Sequence, residues 1–280
     1  MLGLGTTIIS GAQLEGSTQA GRSAPAKFSQ FSADLDGVND TVTFPNTTFW
    51  PGLLGNLDWS VSYWVKYATV FPTSTARPSH GICNMVNFNS SAQLEQVQLG
   101  GIFGPNFGSA LFRNKLACSC LLQNSTFVIS TRTTDLSSIL SDDTWFHVVI
   151  ASEKDGSIRS TKIYINGVDR TELDVSTSFR FGNITAPGGV IGAEDAITVV
   201  SDFAEMNIDD LSAYSKVLSS SEVSDIYNGG VPKDESSRSN LIGYWKFGDG
   251  DDRSRTSVLD QSSNSNDFTL SGATFVEDTP

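Results

Sequence analysis

The amino-acid sequence predicts an all-β fold, a two-sheet antiparallel jelly-roll sandwich with one short helix and an extended N-terminal arm. Three observations predict it. Short runs of alternating apolar and polar residues recur from Phe31 onward, Gly, Asn, Asp and Ser fill the gaps between them, and one stretch near Ser219 carries the punctuation of a helix. At 280 residues the chain is long enough to bury one full sandwich core.

Residues 1–30 are Gly, Ser, Thr and Ala with sparse apolar positions and no clean alternation, so they read as an arm for assembly contacts. In Trp59 to Tyr67, Val61, Tyr63, Val65 and Tyr67 make one apolar face and alternate with Ser60, Ser62, Trp64 and Lys66. Ile102 to Phe112 is expected to supply one or two strands, and Phe127 with Ile129 another. Phe146, Val148 and Ile150 alternate with Trp145, His147 and Val149, as in a strand buried on both faces. Ile163 and Ile165 lead into Asn166-Gly167, a pair that tolerates positive φ at both central positions of a tight turn and so marks a hairpin. Ile208 and Leu211 mark a strand that leads to Leu218. Ser219 and Glu222 then form a capping box, Leu218 and Val223 staple it, and Gly229-Gly230 stop the helix. Beyond a polar connector, VPKDESSRSN, strands are expected at Leu241–Phe247 and Asp267–Leu270. About forty residues cannot build a core alone, so 231–280 is assigned to the completion of the same sandwich.

The segments FSADLDGVNDTVTF (31–44), WSVSYWVKY (59–67), WFHVVI (145–150), KIYINGV (162–168), VIGA (190–193) and the block 208–230 follow one another in an order that resembles the laminin-G-like, concanavalin-A-like jelly roll. The resemblance spans 31–230. In many members of that family, words similar to GYWKF and LDQSSNSNDFTL stand before the LDG segment, whereas here they follow the helix. The resemblance implies a structural calcium ion in some relatives, at acidic positions that Asp36 and Asp209 match.

Acidic residues outnumber basic ones, 31 to 18, for a formal net charge of -13. Such a surface repels phosphate, which argues against nucleic-acid partners and against anionic membranes. Neither a secretory leader nor a run of membrane-spanning length is read in the sequence, so the chain is expected to stay in the cytoplasm where it is made or to leave by assembly into a particle. On the same ground the Asn-x-Ser/Thr triplets at Asn46, Asn89, Asn124 and Asn183 are read as coincidental. Cys83, Cys118 and Cys120 contain no CxxC pair, and with only His80 and His147 beside them they read as thiols rather than as a zinc site.

Turn-rich segments gather Asp34, Asp36 and Asp40, then Asp209 and Asp210, then Asp249, Asp251 and Asp252, and such segments offer the oxygen ligands that calcium takes. Asp36 and Asp209 are the first candidates for a structural calcium ion, Asp249 and Asp251 the second. The competing reading, that these aspartates cap turns through local bonds to backbone N–H groups, is the favoured one. Asp249, Asp251 and Asp260 loosely imitate the spacing of an EF-hand loop, but Arg253 and Ser254 occupy positions where a ligand and a glycine are required. For catalysis, glucanases of similar fold carry an E-x-D-x-x-E strand, which is absent here; Glu153-Lys154-Asp155 and Glu172-Leu173-Asp174 each lack the third acid. No catalytic residue is assigned. Trp50, Phe71, Phe103 and Phe107 lie in or near loops and are candidates for stacking on sugar rings, against the commoner role of covering the rim of the core.

An arm beginning MLGLGTTIISG, followed by LDGVNDTVTF and later by GYWKFGDG, is similar to the laminin-G-like virion proteins of tailed bacteriophages. The resemblance implies a non-enzymatic virion protein on the particle exterior, a capsid decoration or a head or tail appendage. Its partners would be capsid or tail proteins, further copies of itself and glycans. The alternatives are a carbohydrate-binding lectin module and a polysaccharide hydrolase or lyase.

Overall fold

A computed structural model describes residues 28–44, 58–73, 83–88, 94–121, 127–155, 158–174, 189–196, 199–201, 203–254 and 256–280. Most of the N-terminal arm, and Trp50, lie outside the described residues. In chain order the elements are β1 (Ser32–Asp36), β2 (Thr41–Thr43), β3 (Trp59–Tyr67), β4 (Cys83–Phe88), β5 (Leu94–Phe103), β6 (Lys115–Leu121), β7 (Phe127–Thr133), β8 (Phe146–Asp155), β9 (Ile158–Ile165) and β10 (Val168–Asp169). They continue with β11 (Thr171–Asp174), β12 (Gly189–Ile191), β13 (Glu194–Ala196), β14 (Val199–Ser201), β15 (Glu205–Tyr214), α1 (Ser220–Tyr227), β16 (Leu241–Trp245), β17 (Ser257–Val258), β18 (Phe268–Ser271) and β19 (Thr274–Val276).

Two antiparallel sheets face each other, as the alternation predicts. Sheet A runs β10-β9-β8-β3-β15-β1-β19, with β16 also paired to β15, and sheet B runs β11-β7-β6-β5-β4-β12-β2-β18-β17. Between them lies the main core, where Val61, Tyr63 and Val65 of β3, Val148 and Ile150 of β8 and Ile208 of β15 are joined by Leu99, Ile102, Leu116 and Cys118 of sheet B. The Cys118 thiol, buried here, is pushed up to about 12 by loss of solvent. The last forty residues enter both layers: β16 pairs with β15, β18 with β2 and β19 with β1.

Local chemistry explains the connections. Asn166 and Gly167 take φ of 50° and 76°, and Ile165 pairs with Val168 across them, which is the expected hairpin. Helix α1 carries the complete capping box, with Ser219 Oγ accepting from Glu222 N and Glu222 accepting from Ser219 N. The stop forms as expected, with Gly229 at C′ and Gly230 after it at positive φ; the C-cap Asn228 is left-handed as well, and its N–H reaches Ser224 O. A correction concerns Ile102 to Phe112. Strand β5 ends at Phe103, and residues 104–114 form linked turns. A Cβ at Gly104 would strike the Pro72 carbonyl, and Pro105 has no N–H to offer a ladder, so pairing cannot continue.

The side of sheet A turned away from the core is also buried. Val149, Ala151, Tyr164 and Tyr214 pack there under Leu218, Val223 and Ile226 of the α1 region. Tyr227 stacks on Trp64 and His147, with ring centroids 5.8 Å and 5.9 Å away. The connector 231–240 is docked rather than loose: Glu235 is buried and accepts from Tyr214 OH at 3.1 Å, while Arg238 bridges Glu235 and Asp225.

Candidate functional site

The proposed calcium ligands are kept apart by strand register. Asp36 lies opposite Glu205, four residues from Asp209 along β15. At 3.2–3.4 Å per residue that is about 13 Å, too far for two aspartates to share an ion whose ligands sit about 2.5 Å from it. Asp36 is exposed and accepts from Val38 N at 2.8 Å and Asn39 N at 3.2 Å, an Asx turn. Asp251 spends one oxygen on Gly248 N and the other on Leu259 N, and Asp249 accepts from Gln30 N. Asp260 likewise accepts from Tyr244, Ser262 and Asn266 N–H groups. These residues do not fit a calcium ion, and no group of three or more metal-ligating side chains forms among the described residues.

Asp209 and Asp210 have a different setting. Asp209 faces Trp64 and Ser212 faces Ser62, so β15 carries a bulge between them, with Asp210 at φ 46°. Both carboxyls are buried. Asp209 accepts from Ser29 Oγ and from Asp210 N, while Asp210 accepts from Tyr244 OH at 2.7 Å through Oδ1 and has no partner for Oδ2. Loss of solvent pushes Asp210 up to about 7 and raises Asp209 well above the ordinary carboxylate range, with the neighbouring charge adding to the shift of Asp209.

His147 and Ser62 share a 2.8 Å hydrogen bond on the same side of sheet A. Each is 1% exposed, sealed beneath Trp64 and Tyr227, and His147 Nδ1 has no orienting carboxylate. Burial lowers the His147 pKa to about 3, so the ring is neutral at physiological pH. This pair holds the sheet; it does not meet substrate.

The outer side of sheet B carries another arrangement. Ile102 and Leu116 point to the core, so their neighbours Phe103, Lys115 and Ala117 point outward, together with Arg132 opposite Ala117. Phe103 is 1% exposed and therefore cannot itself stack on a ligand, contrary to its candidacy. Phe71 is half-buried against the main core, which leaves it to packing. Phe107, half-buried, meets Phe103 edge-on at 4.6 Å, and Phe112 completes the trio at 5.7 Å from Phe103. The loop bearing them is fixed by Arg113 Nε donating to Phe107 O at 2.8 Å. Arg132 lies over the Phe112 ring at 5.3 Å and donates through Nε to Glu172 at 3.3 Å, and Lys115 pairs with the same carboxylate.

Sequence reading reached Phe103 and Phe107 but missed Phe112, assigned to a strand, and Arg132. Position in an outward register of β7, opposite Ala117, is the signal that would have found Arg132.

A two-layer antiparallel jelly roll with one outer face capped by a helix and the other bearing an aromatic and cationic cluster defines a sandwich module of the kind that lectins and glycoside hydrolases share. The chain belongs to the Concanavalin A-like lectin/glucanases superfamily, whose family profile (Laminin_G_3) matches residues 36–224. Among curated protein sequences none matches. Among solved structures, a candidate carbohydrate-binding protein from Bacteroides ovatus is similar at TM-score 0.55 and 12% identity, over 91% of this chain and 61% of that one. A heptameric SAP-like pentraxin from Limulus polyphemus aligns at TM-score 0.46 and 16% identity, over 75% and 88% of the two chains. Tailspike protein 2 of an Escherichia coli O157:H7 bacteriophage aligns at 0.47 and 14%, over 82% of this chain and 31% of that one. At these identities the similarity concerns the fold.

Proposed function

We propose that this chain is a non-enzymatic structural protein on the exterior of a bacteriophage particle, a capsid decoration or a head or tail appendage, and that it adheres to host or environmental glycans through the outer face of sheet B. The observation that carries the glycan reading is the Phe107–Phe112–Arg132 cluster, because half-buried aromatic rings beside charged donors suit a sugar ring and its hydroxyls. The non-enzymatic reading is supported by the burial of Asp209, Asp210, Ser62 and His147, which removes the strongest acid and base candidates among the described residues from solvent. The virion reading is supported by the sequence, through its arm, its LDGVNDTVTF and GYWKFGDG words and its strongly acidic balance. Copies of the chain would meet one another, and neighbouring capsid or tail proteins, through the arm.

Immunogold microscopy of purified particles tests the location: label on the particle surface is expected, and absence of the chain from such particles overturns it. A glycan array tests adhesion. Release of reducing ends or unsaturated products above a heat-treated control would overturn the non-enzymatic reading.

A further inference from the structure

The chemistry of the sheet B cluster also specifies a ligand class, on the assumption that glycans bind there at all. Arg132 is an unusual residue for this chain. Its side chain keeps only 10% of its surface open, yet it sits in a protein where acids outnumber bases 31 to 18. Its described contacts account for Nε, which donates to Glu172, and for the face of the guanidinium, which lies on Phe112. The two terminal nitrogens are the part of the fork that matches a carboxylate. Arg113 and Lys115 follow Phe112 in sequence, and the acids nearby are Glu172, which both Lys115 and Arg132 contact, and Asp135, whose carboxyl is lowered in part by Lys115. Among the described residues, Lys115 and Arg132 thus share the single carboxylate of Glu172, and Arg113 is held on the adjoining loop by its bond to Phe107 O.

We infer that the glycan held on the outer face of sheet B is acidic: a sugar carboxylate takes paired hydrogen bonds from the terminal nitrogens of Arg132, while a ring of the same chain lies against Phe107. Partial burial strengthens such a pair, since little water competes with it. The stacking of the guanidinium on Phe112 and its tether to Glu172 fix the fork beforehand, so less freedom is lost on binding. The acidic remainder of the surface repels anionic polymers elsewhere and leaves this spot as the place where a carboxylate is accepted.

The test compares two acidic probes, trigalacturonic acid and 3′-sialyllactose, with galactotriose and lactose by calorimetry at low and high salt. At least one acidic probe is expected to bind about tenfold or more tightly than its neutral counterpart, with the gap narrowing as salt rises. R132Q should erase the preference and R132K should keep only part of it, because a lysine supplies the charge but cannot present the fork, whereas F107A should weaken acidic and neutral binding alike. Circular dichroism and melting confirm that each variant is folded, and if R132Q is not, the wild-type probe and salt comparison decides alone. Equal binding of acidic and neutral probes, unaffected by R132Q or R132K, overturns the acidic ligand and leaves glycan adhesion standing. Failure of all four probes together with a blank glycan array removes both.

Discussion

The two outer faces of the sandwich are built from opposite logic. On sheet A the strands present polar groups outward, among them Ser62, His147, Asp209, Asp210 and Ser212, and the chain then buries them under α1, the connector and the segment around Ser29. On sheet B the outward positions carry aromatic rings and cations, with Phe107 and Phe112 left half-buried by the loop 104–114. A covered polar face meets most of its hydrogen bonds internally, Asp210 Oδ2 and His147 Nδ1 being exceptions; an apolar and charged face left partly open is where an interaction site is expected. The difference teaches where to look for function: the acids that attract attention in the sequence lie on the sealed face.

The largest effect that would break this contrast lies in the seal itself. Val223 is fully buried between α1 and sheet A, beside Tyr164 and Tyr214. Val223→Asp should cost more than about 4 kcal/mol, since it buries an unpaired carboxylate. Denaturant titration measures it, and a loss below 1 kcal/mol would mean that α1 rests loosely on the sheet.

A smaller effect, with a sign that depends on pH, is expected at the bulge. Asp210 titrates near 7 when folded, against 3.8 ordinarily. Below 3.8 both states hold the proton; between 3.8 and about 7 the folded chain keeps a proton that the unfolded chain has released, so this group's stabilising contribution falls as pH rises through that window and stays low above it. Asp209 shifts in the same direction and steepens the fall. Asp210→Asn removes one of the two titrations and should therefore raise stability by about 1–3 kcal/mol at pH 8, with no gain at pH 3.5. Thermal melts across this range check it, and an equal effect at both pH values would detach the burial of Asp210 from its charge.

How much of this was legible in sequence follows from the range of the forces involved. The capping box at Ser219 and Glu222 and the Asn166-Gly167 hairpin are local, and each is formed as the sequence predicts. Alternation placed β3 and β8 because every second residue must meet the same core. The meeting of Asp36 with Asp209 depended on register, which no local pattern carries: across β1 and β15 Asp36 faces Glu205 and not Asp209. Burial of the Asp209–Asp210 pair depends on Ser29 and Tyr244, 180 and 34 residues away in sequence from the aspartate each contacts, and no local pattern carries that. Phe112 and Arg132 escaped for the same reason, since one is set by a loop and the other by a strand that meet only in three dimensions.

The finest test of the contrast is Phe107→Ala. If the cluster on sheet B were a second core, truncating this ring would cost the 3–5 kcal/mol typical of a buried phenylalanine. Phe107 is only partly buried, however, so the loss of apolar burial should amount to about 1–2 kcal/mol. Its removal should nevertheless weaken retention of the protein on a glycan column, because the partly exposed ring is the apolar surface proposed to meet a sugar. A large fall in stability with retention unchanged would reverse the assignment, making sheet B the structural face and sending the search for a binding surface elsewhere.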